Sequence, residues 1–285
     1  MNIAIIVSTQ DPAGMNIKQC LVELDLFVKL DEKFDNHDVF EIKFEKSGIV
    51  ARLFTTDLES IHCENIDERI NSNSSDFCVD KIIFATKHQS EAGVHSLCVH
   101  VPGNWGGADV GGKPGMICSS MPNFMKFALL KLKEVSEGTE YSVMQEVTHH
   151  GPLIKVPCLF IEIGSNLESW QNKEAGKIIA NTIRFILEEP IPAYESVVVL
   201  GGGHYSQPAE KLVFRTDYSV GHICPKYGLD NFNSELLDQA INKCDSSVKL
   251  VVVDWKGLGE FKQKVKSLLE ENGISWERIK RIEKR

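Results

Sequence analysis

Four stretches of this chain place side chains capable of acid–base or metal chemistry beside abrupt turns. EVTHHGP at 146–152 ends on Gly151-Pro152. In an extended strand alternate residues face opposite ways. Glu146 and His150 then share a polar face, and His149 lies on the apolar face with Val147. A carboxylate beside an imidazole fixes its tautomer and raises its basicity, as a general base requires. A surface ion pair, or a core histidine at 149, uses the same residues. VVVLGGGHY at 197–205 sets His204 behind an apolar run and three glycines. It lacks the G-x-G-x-x-G and G-K-[ST] patterns of nucleotide cradles. The stretch therefore reads as a pocket rim or a tight turn.

KHQSEAGVHSLCVHVPGNWGG at 87–107 carries His88 at the end of one strand and His100 near the end of the next, with Asn104 in the loop beyond. His95 is expected in the connecting turn, exposed. VGHICPKYGL at 220–229 places His222 and Lys226 within five residues. Five histidines (His88, His100, His150, His204 and His222) thus occupy strand ends or glycine-flanked turns. Clustered imidazoles suit general acid–base catalysis or zinc ligation. H-E-x-x-H and G-x-S-x-G are absent, which removes support for zincin and serine-hydrolase chemistry.

The elements that must position these residues alternate. Strands are expected at 3–7, 39–44, 49–54, 81–86, 97–101, 141–150, 158–163, 197–200 and 250–253. An amphipathic stretch covers 15–30, a polar loop or boundary 64–80, and a glycine-rich loop 103–115. A helix is expected over 122–135. Another follows a Ser165-x-x-Glu168 capping box, and a last one stops at Asn272-Gly273. Apolar strands separated by helical patterns imply an α/β fold with a mixed, largely parallel sheet flanked by helices. Ligands in such sheets sit where loops leave the strand ends.

The 285 residues suffice for one large unit or two modest ones. The net charge of −9 lies in residues 1–80, where 7 Lys+Arg face 16 Asp+Glu (7 − 16 = −9). Residues 81–285 hold 24 of each and seven of the nine histidines. We therefore expect an acidic part, 1–80, and a histidine-rich catalytic part, 81–285, within two regions or one compact unit. A polyanionic partner should approach the second. SWERIKRIEKR at the C-terminus reads as a solvated helical end or a nucleic-acid contact. The eight cysteines have no C-x-x-C spacing, so they are expected mostly buried and reduced in a cytoplasmic protein. No leader-like or membrane-length apolar segment is read.

KHQSEAGVHSLCVHVPGN, EVTHHGP, EIGS followed by Trp170, GGGHY and GHICPKY, in this order, resemble the archaeal and plant type of D-aminoacyl-tRNA deacylase. The likeness covers about 84–230 and the first strand. It implies a fold like that of phosphorylases and peptidyl-tRNA hydrolases. It also implies hydrolysis of the ester joining a D-amino acid, or mischarged glycine, to tRNA, with zinc as cofactor. Aminoacylated tRNA, held at its 3′ end, is the partner; no obligatory protein partner is evident.

On this likeness His150, Glu146, His204 and His222 would be catalytic, with His150 as base or metal ligand. His88, Asn104, Lys226, Gly202 and Gly203 would contact substrate, and His100 and His149 would hold metal. Backbone N–H groups of 103–107 or 201–203 would form an oxyanion hole. Lys113, Lys211, Arg215 and Lys226 would meet tRNA phosphates. The rival readings are a zinc-dependent small-molecule amidohydrolase or phosphorylase that ignores tRNA, and a non-catalytic RNA-binding module.

Overall fold

The structure, a computed structural model, describes residues 1–91 and 93–282. The strands are β1 (Asn2–Ser8), β2 (Val28–Phe34), β3 (His37–Phe44), β4 (Ile49–Thr56), β5 (Lys81–Gln89), β6 (Ser96–His100), β7 (Ser142–Gln145), β8 (Cys158–Ser165), β9 (Glu195–Leu200), β10 (Tyr218–Cys224), β11 (Val248–Val253) and β12 (Trp276–Arg278). The helices are α1 (Pro12–Glu23), α2 (Ile66–Asn73), α3 (Pro122–Val135), α4 (Leu167–Gln171), α5 (Lys173–Glu188), α6 (Gln207–Arg215), α7 (Ser234–Asn242), α8 (Lys262–Glu271) and α9 (Ile279–Ile282).

Two sheets form. The larger has eight strands in the order β2-β3-β4-β1-β5-β8-β6-β7, and the smaller is β10-β9-β11-β12. β4, β1, β5 and β8 run parallel, while β6 runs antiparallel to β8. The smaller sheet is parallel throughout. This is the mixed, largely parallel α/β architecture expected, divided between two sheets. Its central strands are apolar because both faces are covered: Ile3–Val7 of β1 and Cys158–Ile163 of β8, with Glu162 the one charged residue among them, are buried. One continuous core takes side chains from both sheets, including Ile5, Phe84, Val199 and Ile223.

Position 80 is not a break between sheets. β1 lies between β4 and β5, so residues 1–80 and 81–285 share one sheet. Excess acid in the first part is partly neutralised inside: buried Arg52 bonds to Glu32, Glu41 and Asp76.

Several local expectations are corrected. The stretch 15–30 is helix and then strand. Asp11 caps α1 by accepting from Gly14 N, Pro12 follows as the first helical residue, and Asp25 turns the chain out at φ 56°. The segment 64–80 contains α2, whose Ile66 and Ile70, four apart, are buried. Its polar outer face disguised it. The expected capping box is displaced by one residue: Asn166 accepts from Ser169 N, and Asn172 opens α5 by accepting from Glu174 N and Ala175 N. The strand expected over 141–150 stops at Gln145. β10 contains His222, which lies within the strand rather than at a strand end or glycine-flanked turn. Residues 283–285 of the basic tail lie outside the described residues.

Candidate active site

The segment 146–150 leaves the large sheet and is stitched across to the small one. Glu146 N donates to Val99 O at 3.1 Å, Val147 N to His204 O at 3.2 Å, and Thr148 N to Ile223 O at 3.0 Å. His204 is thereby drawn from beyond β9 to the mouth of β5 and β6. Strand alternation fails here. His150 has φ 46°, in the left-handed region that non-glycine residues seldom adopt. Two consecutive imidazoles, His149 and His150, therefore both line one cavity.

That cavity has a volume of about 330 Å³. His88, His149, His150, His204, Glu162 and Phe160 line it, together with Ser8, Gln10, Asp11, Glu59, Ser60 and Ile61. The acidic first part of the chain thus supplies a wall of the site, which its lack of clustered histidines did not signal.

Glu146 is the hub. It is 1% exposed. Its Oε1 lies 3.2 Å from His88 Nδ1 and 3.2 Å from His204 Nε2, and its Oε2 lies 3.5 Å from His100 Nδ1. Burial pushes this carboxyl up, but the hydrogen bonds from His204 and His88 outweigh it and hold it well below the ordinary range. A carboxylate only accepts. His88 therefore carries its proton on Nδ1, and its Nε2 accepts from the Tyr205 hydroxyl at 2.8 Å. His204 carries its proton on Nε2, leaving Nδ1 to accept from Tyr227 Oη at 3.2 Å. The expected partnership of Glu146 with His150 is replaced by one with His204, because His150 turns its ring toward Gly151 O and His100 instead.

Glu162 was missed. It stands in CLFIEIG, a charged residue inside a continuous apolar run, and that mismatch was the available signal. Burial first, and the Glu146 charge second, push its carboxyl well above the ordinary range. It lies 3.8 Å from His88 Nδ1 and 3.9 Å from His100 Nδ1, and Thr86 Oγ1 donates to it at 2.7 Å. Two carboxyls this close to the same rings hold one proton, and Glu162 keeps it.

His100, His149 and His150 form a second tier, with ring centroids 4.3 to 4.8 Å apart. Val147 O accepts from His149 Nδ1 at 2.9 Å, and Gly151 O accepts from His150 Nδ1. Both rings consequently present an Nε2 lone pair. Burial foremost lowers His149 to about 3 and His150 to about 4, and drives His100 well below the ordinary imidazole range. These are neutral imidazoles, the form that binds metal.

A donor atom from each of these three rings lies within 4.8 Å of the others. His100 Nε2 and His150 Nε2 are 3.1 Å apart, close to the ~3.3 Å edge of a tetrahedron of zinc–nitrogen bonds. His100 Nδ1 and Glu146 Oε2 are buried without hydrogen bonds. A cation on the Nε2 side would place the His100 proton on Nδ1, facing Glu146 Oε2, and satisfy both orphans. The residues fit a divalent cation.

The other expected residues lie elsewhere. His222 is 0% exposed in β10, with Nδ1 3.3 Å from Thr148 Oγ1 and Nε2 3.1 Å from Lys243 O. It does not reach the cavity. Asn104 Nδ2 donates to Gly111 O and braces the glycine loop. Gly202, Gly203 and Lys226 line a neighbouring cleft with Tyr227, and Lys226 pairs with Glu260 at 2.9 Å. Part of the expected oxyanion donors are spent: Gly103 N donates to His149 O and His150 O, Asn104 N to Met116 O, Gly201 N to Cys224 O and Gly202 N to Gly257 O. Lys113 is exposed on the glycine loop, whereas Lys211 and Arg215 line a cleft beside α9. His95 keeps 29% side-chain exposure while bonding to Ser169 Oγ at 2.9 Å.

A sequence profile of the family described as D-aminoacyl-tRNA deacylase matches residues 76–277. The chain belongs to the D-aminoacyl-tRNA deacylase family. A relative of that name from Pyrococcus abyssi is 38% identical over 276 residues, covering 95% of this chain and 98% of the relative. One from Methanococcus maripaludis is 34% identical, covering 98% and 100%. Among solved structures, the conserved protein of unknown function AF0625 superposes with a TM-score of 0.87 at 28% identity, covering 100% of this chain and 97% of that one. No described helix is long and apolar enough to cross a membrane.

Proposed function

We propose that the cavity hydrolyses the ester between a D-amino acid and the 3′ end of tRNA, releasing both, as a check on translation. Membership of the deacylase family supports the reaction class. The observation that carries the mechanism is the buried carboxylate of Glu146 accepting from His88 and His204, both of which line the cavity.

An aminoacyl ester is already activated, so a positioned water and a base suffice for much of the rate. His204 is the base: Nε2–H is tied to Glu146, and the lone pair sits on Nδ1, shared only with the exposed Tyr227 hydroxyl. As His204 takes the proton, Glu146 stabilises the imidazolium without moving. Glu162, protonated, keeps the second carboxyl from repelling the developing oxyanion. His88, locked between Glu146 and Tyr205, holds the hub in place. His100, His149 and His150 would hold a zinc ion. Bound there, zinc would lower the pKa of a coordinated water to ~7 and polarise the ester carbonyl. Mischarged glycyl-tRNA, which lacks a side chain, would enter the same cavity.

The test is deacylation of D-Tyr-tRNA against L-Tyr-tRNA, with and without a chelator. Preference for the D ester, abolished by chelator and restored by zinc, is expected. Equal rates on both esters would sink the reading, and chelator-insensitive turnover would remove the zinc.

A further inference from the structure

In an aminoacyl ester the acyl carbon is bonded directly to a ribose oxygen. A pocket for the nucleoside must therefore abut the base that serves the acyl group. The cleft lined by Gly202, Gly203, Lys226 and Tyr227, about 600 Å³ in volume, meets that condition. Gly203 directly precedes His204, which lines the histidine cavity. Tyr227 lines the cleft, and its Oη lies 3.2 Å from His204 Nδ1. The two hollows thus share a boundary at the imidazole nitrogen assigned as base.

The cleft stands at the edge where a parallel sheet binds its ligands. β10, β9 and β11 are parallel neighbours, so their last residues reach one edge. Gly202 and Gly203 follow β9, Lys226 and Tyr227 follow β10, and Lys256 and Gly257 follow β11. Backbone bonds tie these turns together: Lys226 N donates to Gly202 O at 2.9 Å, and Gly202 N to Gly257 O at 3.4 Å. Gly259, at φ 57°, leaves room for the Lys226 stem, since a Cβ there would lie 2.6 Å from Lys226 Cε.

The lining is mixed in a way that selects the occupant. Lys226 and Lys256 bring positive charge, and Lys256 is exposed with no ion pair among the described residues. Asp230 and Glu260 bring carboxylates, Glu260 pairing with Lys226 at 2.9 Å. Tyr227, 59% exposed, and Phe261 bring aromatic rings. Two lysines against two carboxylates leave no net charge to hold a polyphosphate. A single nucleotide offers each group a partner: one phosphate for lysine, ribose hydroxyls for a carboxylate, and a flat base for a ring. We propose that this cleft receives the 3′-terminal nucleotide of the tRNA while its aminoacyl group enters the histidine cavity, an inference that rests on the deacylase reading. Lys226 and Lys256 take the 5′-phosphate of that nucleotide, and the rings of Tyr227 and Phe261 take its base.

The experiment compares D-Tyr ethyl ester, 3′-D-Tyr-adenosine and the 5′-monophosphate of that adenosine ester as substrates. The first fills only the cavity, the second adds the nucleoside, and the third adds the phosphate. In the unaltered chain the phosphate should raise kcat/KM about tenfold over the nucleoside at low salt, chiefly through KM, and the gain should shrink at about 0.5 M salt. Lys256→Glu should abolish that gain while leaving the ethyl ester within about twofold. Phe261→Leu should lower both adenosine esters about fivefold relative to the ethyl ester. Equal kcat/KM for the two adenosine esters in the unaltered chain would overturn the proposal. So would variants that keep the full gains, or that lower all three substrates alike. Failure of the unaltered chain to cleave D-Tyr-tRNA would instead overturn the deacylase reading, and this inference with it.

Discussion

His100 and His222 are the same residue at the same depth, 1% and 0% exposed. Both end up neutral because burial lowers them. Yet His222 spends both ring nitrogens, on Thr148 Oγ1 and Lys243 O. His100 has a buried nitrogen without a hydrogen bond, facing two carboxyls. The first ring ties the small sheet to the segment carrying the site. The second belongs to a cluster whose polar capacity is not used up by the protein itself. Burial alone does not mark a catalytic or ligating group; unspent hydrogen-bonding or ligating capacity does.

The sharpest way to break this contrast is at the hub. Glu146→Gln removes the negative charge that orients His204 and should lower kcat/KM on D-Tyr-tRNA by about 10²- to 10⁴-fold with the far-ultraviolet circular dichroism unchanged. A loss below tenfold would show that Glu146 is only a packing residue. His204→Ala should cost about 10²-fold in kcat. Near-normal turnover would move the base elsewhere in the cavity.

At the other pole, His222→Ala should leave kcat/KM within about twofold below the melting transition, while lowering stability by about 1–3 kcal/mol through the orphaned Lys243 carbonyl and Thr148 hydroxyl. Denaturant titration alongside the assay separates the two effects. A catalytic collapse in a folded His222→Ala protein would erase the distinction.

The mildest effect is on pH. Burial lowers folded His222 to about 4, whereas the unfolded residue titrates near ~6.5. Between these values the unfolded chain binds the proton and the folded chain does not. Its contribution to stability is therefore full above about 6.5 and falls as pH drops toward about 4. The stability advantage of the unaltered chain over His222→Asn should shrink across that window. A constant difference would mean that His222 is charged or solvated in the fold.

The comparison also explains what could be read beforehand. Ile3–Val7 and Cys158–Ile163 announce buried strands because a doubly covered sheet favours near-continuous apolar side chains. The histidines of EVTHHGP and GGGHY stood out because imidazoles beside glycine or proline turns at strand ends are poorly explained by packing. Glu162 was legible in principle, as a carboxyl in an apolar strand. His222 misled for the converse reason. Its neighbours Gly221 and Pro225 suggested a turn, but the backbone continues as β10, with Gly221 giving room beside Cys244 and Pro122.

By itself the sequence determined the α/β class and the identity of most groups able to do chemistry, because local periodicity and residue type carry that information, and the family through the resemblance of its ordered motifs. Only the tertiary structure decided which of them meet. The left-handed backbone at His150 turned two consecutive rings into one cavity. The crossing of 146–150 between the sheets exchanged His150 for His204 as the partner of Glu146, and the insertion of β1 between β4 and β5 gave the acidic part a wall of the site. Each depends on contacts between residues remote along the chain, and no pattern confined to a short window encodes them.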